Sequence, residues 1–367
     1  ERILCNEEGS MKKSSSPLVT AGVIPLVTVI IPCRNEESFI EKVLNSIITQ
    51  DYPKDKLEIL VVDGMSDDGT RRIIESYVKS YNFIQMIDNL KKIVPCALNE
   101  GIRRSKGNVI MRMDAHAEYP SNYVSRLVSA LIELEADNVG GVWETVPGAE
   151  TIKAHAIALA TSNPFGVGNA KYRLKTNENQ PFEVDTVPFG CYKREVFERI
   201  GYFDEELIRN QDNEFNERLK RNGGKIFLVP DIKIKYFARD NYTKLWKMFF
   251  QYGYFGPLVD KKLRRLTRIR RYVPSAFLLS VFLLPVLSII TAKILLISVT
   301  SLTVYFFINL ICCVKITYKE KKVCLIPYLF YAFLVSHFSY GLGYLKGVLD
   351  FLFFKKKPVP EKIAITR

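Results

Sequence analysis

Three long apolar runs close the chain and limit what it can fold into. Residues 273–292 and 294–314 carry no charge, nor do residues 323–345, which hold one histidine, His337. Each is about as long as the ~20 residues a helix needs to span a bilayer. A basic block of Lys261, Lys262, Arg264, Arg265, Arg268, Arg270 and Arg271 directly precedes the first run. Lysine and arginine concentrate on cytoplasmic membrane flanks, so block and runs together predict membrane helices rather than buried core helices. They also account for a net charge of +13 without nucleic acid, since no zinc-finger spacing or aromatic-basic RNA motif is present. Residues 241–259, with Trp246, Phe249, Phe250 and Tyr252, read equally as a helix lying at the membrane interface or as one packed on the solvent side of the preceding domain.

The first 260 residues read as an ordinary α/β domain. The β-branched run 27–31 (VTVII) predicts a buried parallel strand. Further strands are predicted over 57–62, 83–87 and 109–113, with helices over 36–49, 70–80, 94–105 and 120–135 between and after them. Strands alternating with helices predict a doubly wound, mostly parallel sheet. Beyond Gly140, frequent glycine, proline and asparagine predict loops and short elements facing a substrate. The expected organisation is a disordered segment over 1–24 with Met11 as a candidate start, an α/β domain over 25–240, an interfacial helix and basic linker over 241–272, a membrane region of two or three helices over 273–354, and a basic tail over 355–367. Seven cysteines (Cys5, Cys33, Cys96, Cys191, Cys312, Cys313 and Cys324) form no metal-ligand spacing and fit a reducing cytosol.

Ligands of open α/β sheets bind beyond the carboxyl ends of the strands. Three such ends carry polar groups here: Pro32 to Glu36, Asp63 to Asp68, and Asp114-Ala115-His116. A lone aspartate after a strand usually caps a helix, whereas three acidic strand ends predict one shared crevice. Asp114 and His116, two residues apart in a turn, can reach one ion; a carboxylate with an imidazole suits Mn²⁺, and Mg²⁺ accepts the carboxylate. Such a cation offsets the charge that builds on a departing diphosphate. Asp63 is placed to accept hydrogen bonds from a base or ribose. A further acidic cluster, residues 210–214 (NQDNE), stands at a predicted helix start. The macrodipole alone favours acids there, and a carboxylate facing the metal could also deprotonate a hydroxyl. His155 and Cys33 read as structural residues, and Trp143 as core or as an acceptor platform. His337 either faces a neighbouring helix or marks an intramembrane site.

Segments 27–37 (VTVIIPCRNEE), 60–70 (LVVDGMSDDGT), 99–107 (NEGIRRSKG), 113–116 (MDAH) and Gln211-Asp212 together resemble the family 2 glycosyltransferases, over roughly residues 27–254. The Asp-Ala-His-Ala form at 114–117 is similar to the bacterial exopolysaccharide branch of the succinoglycan type, membrane-bound enzymes that extend a lipid-linked oligosaccharide. The resemblance implies a GT-A fold, Rossmann-like with a mostly parallel sheet, followed by C-terminal transmembrane helices. It implies that Pro32, Arg34, Glu36, Asp63, Asp68 and Arg103 belong to the nucleotide-sugar site, and that Asp114 and His116 hold Mn²⁺ or Mg²⁺. Asp212 would be the catalytic base and Arg239 a diphosphate contact. The chain departs from the family at His116, which replaces the second acid of D-x-D, and at Gln211, which replaces the glutamate beside the base. Tyr236 stands where the family often has a histidine. Gln251-Tyr252-Gly253 lacks the Arg-Trp pair of processive relatives, which argues against a long processive polymerase.

The implied reaction is a single displacement with inversion, from a UDP-hexose to a lipid-linked or membrane-proximal saccharide in polysaccharide biosynthesis. The catalytic domain is expected in the cytoplasm on a multi-pass inner-membrane protein, with a polysaccharide assembly complex as a further partner. Residues 273–292 would cross outward and 294–314 return through a tight turn at 291–293. The third run would follow a re-entrant or interfacial path bent near Gly341 and Gly343, which keeps Lys355, Lys356 and Lys357 inside. Two rivals remain. A nucleotidyltransferase would carry a glycine-rich loop after the first strand, where residues 32–37 hold no glycine. A catalytically dead scaffold is kept open by Gln211 and His116.

Overall fold

Buried, β-branched runs form the centre of the molecule. A computed structural model describes residues 24–176, 178–265, 271–287 and 292–358. The readings of residues 1–23, Cys5, Met11, Arg268, Arg270, the turn residue Thr291 and residues 359–367 lie outside them. Strands β1 (Val27–Cys33) and β2 (Leu57–Asp63) bury all seven residues each, as a sheet covered on both faces requires. In chain order the domain continues around them with α1 (Ile40–Ile48), α2 (Thr70–Ser80), β3 (Ile84–Asp88), α3 (Val94–Arg104), β4 (Val109–Arg112), β5 (Ala117–Glu118), α4 (Tyr123–Glu133) and β6 (Asn138–Val146). It is completed by α5 (Ile152–Thr161), α6 (Pro164–Val167), β7 (Phe182–Glu183), β8 (Cys191–Lys193), α7 (Glu195–Ile200), α8 (Gln211–Arg221) and β9 (Ile226–Phe237). The sheet order is β3-β2-β1-β4-β8-β6-β9-β5, with β7 on β9. The pairs among β3, β2, β1 and β4 are parallel; β8 enters antiparallel to β4 and β6. One face packs on α1, α2 and α4, and the other on α3, α7 and α8.

The region past Gly140 is more regular than its composition suggests. β6 and β9 are the longest described strands and pair in parallel, with a register shift between Gly141 and Val142. A Cβ at Gly141 would sit 2.7 Å from the Ile232 carbonyl. The glycines that read as loop residues therefore mark a bulge where two backbones meet.

The apolar tail also differs from expectation. Helices α9 (Tyr242–Tyr254) and α10 (Gly256–Leu263) lead to α11 (Val273–Leu287), α12 (Ala292–Glu320) and α13 (Ile326–Gly347). The first run is helical over its described residues, Val273–Leu287. Among the described residues, two helices long and apolar enough to cross a membrane lie within 295–320 and 323–353. The outer side of α12 exposes Leu296, Ile297, Val299, Phe307 and Ile311; an apolar surface of this extent is stable in lipid or against an apolar partner.

The third run is not bent near Gly341 and Gly343: α13 is helical through both. Those glycines are packing notches. A Cβ at Gly343 would collide with the Phe250 carbonyl, and one at Gly253 with the Tyr340 carbonyl, so α9 and α13 pack backbone to backbone. Tyr242 donates to the Tyr328 carbonyl near one end of α13 (2.9 Å), and Tyr254 to Asp350 beyond the other (2.9 Å). α9 thus covers α13 rather than standing as a free interfacial helix, and α13 is tied to the α/β body along its length.

Candidate active site

The loops after β1 and β2 are locked to each other. Asn35, in the left-handed region at φ 54°, donates to Asp67 (2.7 Å) and takes the Asp67 amide (3.1 Å). Asp63 is completely buried: it accepts from Arg71 (2.6 Å) and from the Ser66 amide (3.0 Å) and hydroxyl (2.5 Å). Asp68 accepts from the amides of Thr70 (3.0 Å) and Glu37 (3.3 Å). Burial alone would raise Asp68, yet these bonds outweigh it and hold the carboxyl below its ordinary range. Pro32, Arg34, Glu36 and Gly64 line a cavity of about 2000 Å³, and neither Asp63 nor Asp68 does. Both carboxylates brace the loops whose other residues face the cavity.

The 99–107 segment likewise turns inward. Asn99 donates to the Phe203 carbonyl (2.9 Å) and receives the Phe203 amide (3.0 Å). A Cβ at Gly107 would lie 2.5 Å from the Thr28 amide nitrogen. Arg103 is half exposed, pairs with Glu100 and Glu205 at 3.8 and 3.7 Å, and lies 5.1 Å over the Tyr202 ring. It does not line the cavity.

Beyond β4, Asp114 and His116 both face the cavity. Arg112, two residues before Asp114 and so on the same side of an extended chain, forks onto it with Nε–Oδ1 2.6 Å and Nη2–Oδ2 2.9 Å. Burial pulls the Arg112 guanidinium down, but Asp114 and, more weakly, Asp212 raise it above its ordinary value. His116 Nδ1 lies 3.7 Å from Glu36 Oε1, joining the β4 end to the β1 end.

Asp212 stands at the start of α8 and lines the same cavity. The preceding Asn210 sits at φ 64° and donates to the Tyr252 carbonyl (2.9 Å). Arg209 Nε donates to Gln251 Oε1 (3.0 Å), so Gln251 positions an arginine that lines this cavity. Glu214 is taken up by the fork of Arg218 at 2.8 and 2.9 Å, which leaves Asp212 as the carboxylate of α8 facing the cavity. Arg239, just past β9, is buried and lines the cavity too. Arg173 completes this side. It lies 4.4 Å over Trp143, which in turn stacks on Tyr236 at 3.9 Å.

Of the residues named from sequence, Pro32, Arg34, Glu36, Asp114, His116, Asp212 and Arg239 come together; Asp63, Asp68 and Arg103 stand behind the wall. Sequence reading missed Arg112, Arg173 and Arg209. Strand alternation could have given Arg112, but nothing local marks the other two. His337 belongs to the cavity's far side, bonded to Tyr305 (2.9 Å) and the Phe165 carbonyl (2.7 Å).

No group of three or more His, Cys, Asp or Glu side chains suited to a metal occurs among the described residues. Mg²⁺ and Mn²⁺ are commonly held by one or two carboxylates plus substrate phosphates. Asp114 with His116 fits that mode, since each carboxylate oxygen retains acceptor capacity beside the Arg112 fork.

The fold has a close counterpart in form. The mannosyltransferase PcManGT from Pyrobaculum calidifontis, solved with GDP-Man and Mn²⁺, superposes with a TM-score of 0.56 at 19% identity, over 91% of this chain and 89% of that one. The sheet with its cleft is a GT-A fold. Residues 28–201 match the model described as "Glycosyl transferase family 2", so the chain carries a domain of that family. A curated relative from Methanococcus voltae, a dolichyl N-acetyl-α-D-glucosaminyl phosphate 3-β-D-2,3-diacetamido-2,3-dideoxy-β-D-glucuronosyltransferase, is 29% identical over 88% of this chain and 97% of its own length. The succinoglycan biosynthesis protein ExoA of Rhizobium meliloti (strain 1021) is 28% identical over 68% of this chain and 74% of its own.

Proposed function

We propose that this glycosyltransferase moves a hexose from a nucleoside-diphosphate sugar, with UDP as the nucleotide, to a lipid-linked saccharide with inversion at the anomeric carbon. The observation that carries the reading is that Asp114 and His116, after β4, and Asp212, at the start of α8, line one cavity. The Methanococcus relative, named for a lipid-phosphate-linked acceptor, aligns over 88% of this chain, more than the α/β domain alone supplies, which supports the acceptor class. PcManGT was solved with GDP-Man and Mn²⁺, which supports a nucleotide-sugar donor and a divalent metal without bearing on UDP as the nucleotide.

Pro32, Arg34 and Glu36 flank the nucleotide end. Asp114 and His116 hold a divalent cation that, when bound, offsets charge on the leaving diphosphate. Arg112 orients the Asp114 carboxylate through its two-pronged contact. Asp212 takes the proton of the acceptor hydroxyl as that oxygen attacks, and Arg239 faces the departing diphosphate. Holding both substrates in line supplies much of the rate. The path of α13 along α9 favours a topology in which α11 and α12 enter the bilayer as a pair. Lys315, Lys319 and the tail at Lys355 to Lys357 then stay on the side of the catalytic domain.

A thermal-shift panel tests the donor assignment. Stabilisation by one UDP-sugar that strengthens with Mn²⁺ and disappears in Asp114→Ala is expected. Metal-independent stabilisation of wild type and variant alike contradicts the metal site.

A further inference from the structure

The cavity is larger than one substrate needs. Pockets for a single small ligand run up to ~1000 Å³, and this one is about 2000 Å³. Past Asp212 its lining leaves the sheet domain for helices α11, α12 and α13. On α12 the lining residues are Ser301, Val304, Tyr305 and Ile308, spaced to form one face of a helix. Val304 and Ile308 are still 49% and 43% exposed. The arm therefore opens sideways, onto the apolar outer surface that lipid would cover.

Two buried arginines line the same cavity. Arg173 is 6% exposed. Its one side-chain hydrogen bond is long, 3.4 Å from Nε to the Tyr172 hydroxyl, and among the described residues no carboxylate pairs with it. A buried guanidinium without a counter-charge is costly. Arg209 lies within electrostatic reach of Arg239 and Arg112; burial first, and those charges next, hold it below its ordinary range. The Tyr252 hydroxyl feels both Arg173 and Arg209, so the two charges share one neighbourhood. An anion there supplies the counter-charge that Arg173 lacks among the described residues.

The geometry points to a second binding site: the phosphate of the lipid-linked acceptor seats on Arg173 and Arg209, and its hydrocarbon chain leaves through the arm between α11, α12 and α13. This rests on the acceptor class proposed above and adds where the lipid phosphate goes. An amphiphile fits because the anion site and the apolar arm belong to one cavity, and a free phosphate would have no use for the arm. With the phosphate fixed, the adjoining sugar is presented toward Asp212.

The test uses the full chain in nanodiscs and native mass spectrometry, with a long-chain polyisoprenyl phosphate as the probe and the matching alcohol as the comparison. The phosphate should bind at least about 10-fold more tightly than the alcohol. Arg173→Gln should remove most of that difference and Arg173→Lys restore part of it. Nucleotide-sugar affinity, which also reports folding, should shift by less than about 2-fold. Ile308→Trp, at an exposed position, should weaken the long-chain phosphate and spare a short-chain one. Equal binding of phosphate and alcohol overturns the site, as does an Arg173→Gln variant that loses nucleotide instead of lipid, or phosphate binding that neither Arg173→Gln nor Ile308→Trp alters. Binding is read without turnover. If wild type binds the phosphate as expected yet glycosylates no lipid-linked saccharide, the acceptor reading fails and the site stands. If it glycosylates such lipids with unchanged KM in both variants, the reading stands and the site falls.

Discussion

The two halves of the cavity are built differently. The half at β1 and β4 is made of short-range pieces: Pro32 to Glu36 follow one strand, and Arg112, Asp114 and His116 end another within five residues. The half at Asp212 is assembled from distant segments. Arg173 comes from the loop after α6, Arg209 and Asp212 from the start of α8, Arg239 from the end of β9, and Tyr252 from α9. Aligned strand ends place groups with little freedom, whereas the second half depends on where α9 and α13 hold their neighbours. Damage to the first half should therefore act on chemistry alone, and damage to the helix packing should reach the second half first.

The largest effect is expected at Asp114. Asp114→Ala should lower turnover at least about 10³-fold and remove the metal dependence of nucleotide binding, read by steady-state assay and calorimetry. Asp212→Asn should cost about 10²-fold or more in turnover while donor affinity stays near wild type. Loss of affinity with turnover retained would make Asp212 a binding residue.

Gly343→Val probes the helix side. The added side chain meets the Phe250 carbonyl, and overpacking of this kind costs about 1–3 kcal/mol. Thermal unfolding should shift downward, and acceptor KM should rise before donor affinity changes. Equal loss of both would erase the contrast between the halves.

The smallest effect concerns the bridge between them. Glu205 accepts from Lys91 (2.6 Å) and Asn99 (3.0 Å). Burial alone would raise it, but those bonds hold it at about 2, below its ordinary 4.5. A depressed carboxyl stabilises the fold above its unfolded value. The contribution should be complete above about pH 4.5 and fade as pH falls toward 2. The Glu205→Gln variant should flatten the acid limb of the stability profile over that range.

What could be read in the sequence follows the same division. The parallel core was legible because β1 and β2 are continuous apolar runs, and the Asp114–His116 end because its groups are neighbours in the chain. Asp63 and Asp68 carried the right residue types at strand ends, but nothing local reveals that Arg71, Ser66 and the capping amides engage them. Gly140 and Gly141 read as loop because composition does not separate a bulge from a turn. Gly341 and Gly343 read as a bend because their partners, Pro274 and Phe250, lie far away in sequence. Arg173 was invisible for the same reason: its aromatic cage gathers Trp143, Tyr172 and Tyr236 from three segments.

The central claim is that one cavity couples a nucleotide sugar to a membrane-bound acceptor. Purified protein in nanodiscs, given a UDP-hexose, Mn²⁺ and a polyisoprenyl-phosphate-linked saccharide, tests it most directly by mass spectrometry. One nucleoside diphosphate should be released for each lipid-linked saccharide extended, and neither product should form with Asp212→Asn on the same timescale. Nucleoside diphosphate release without any extended lipid, at a rate Asp212→Asn leaves unchanged, would contradict it.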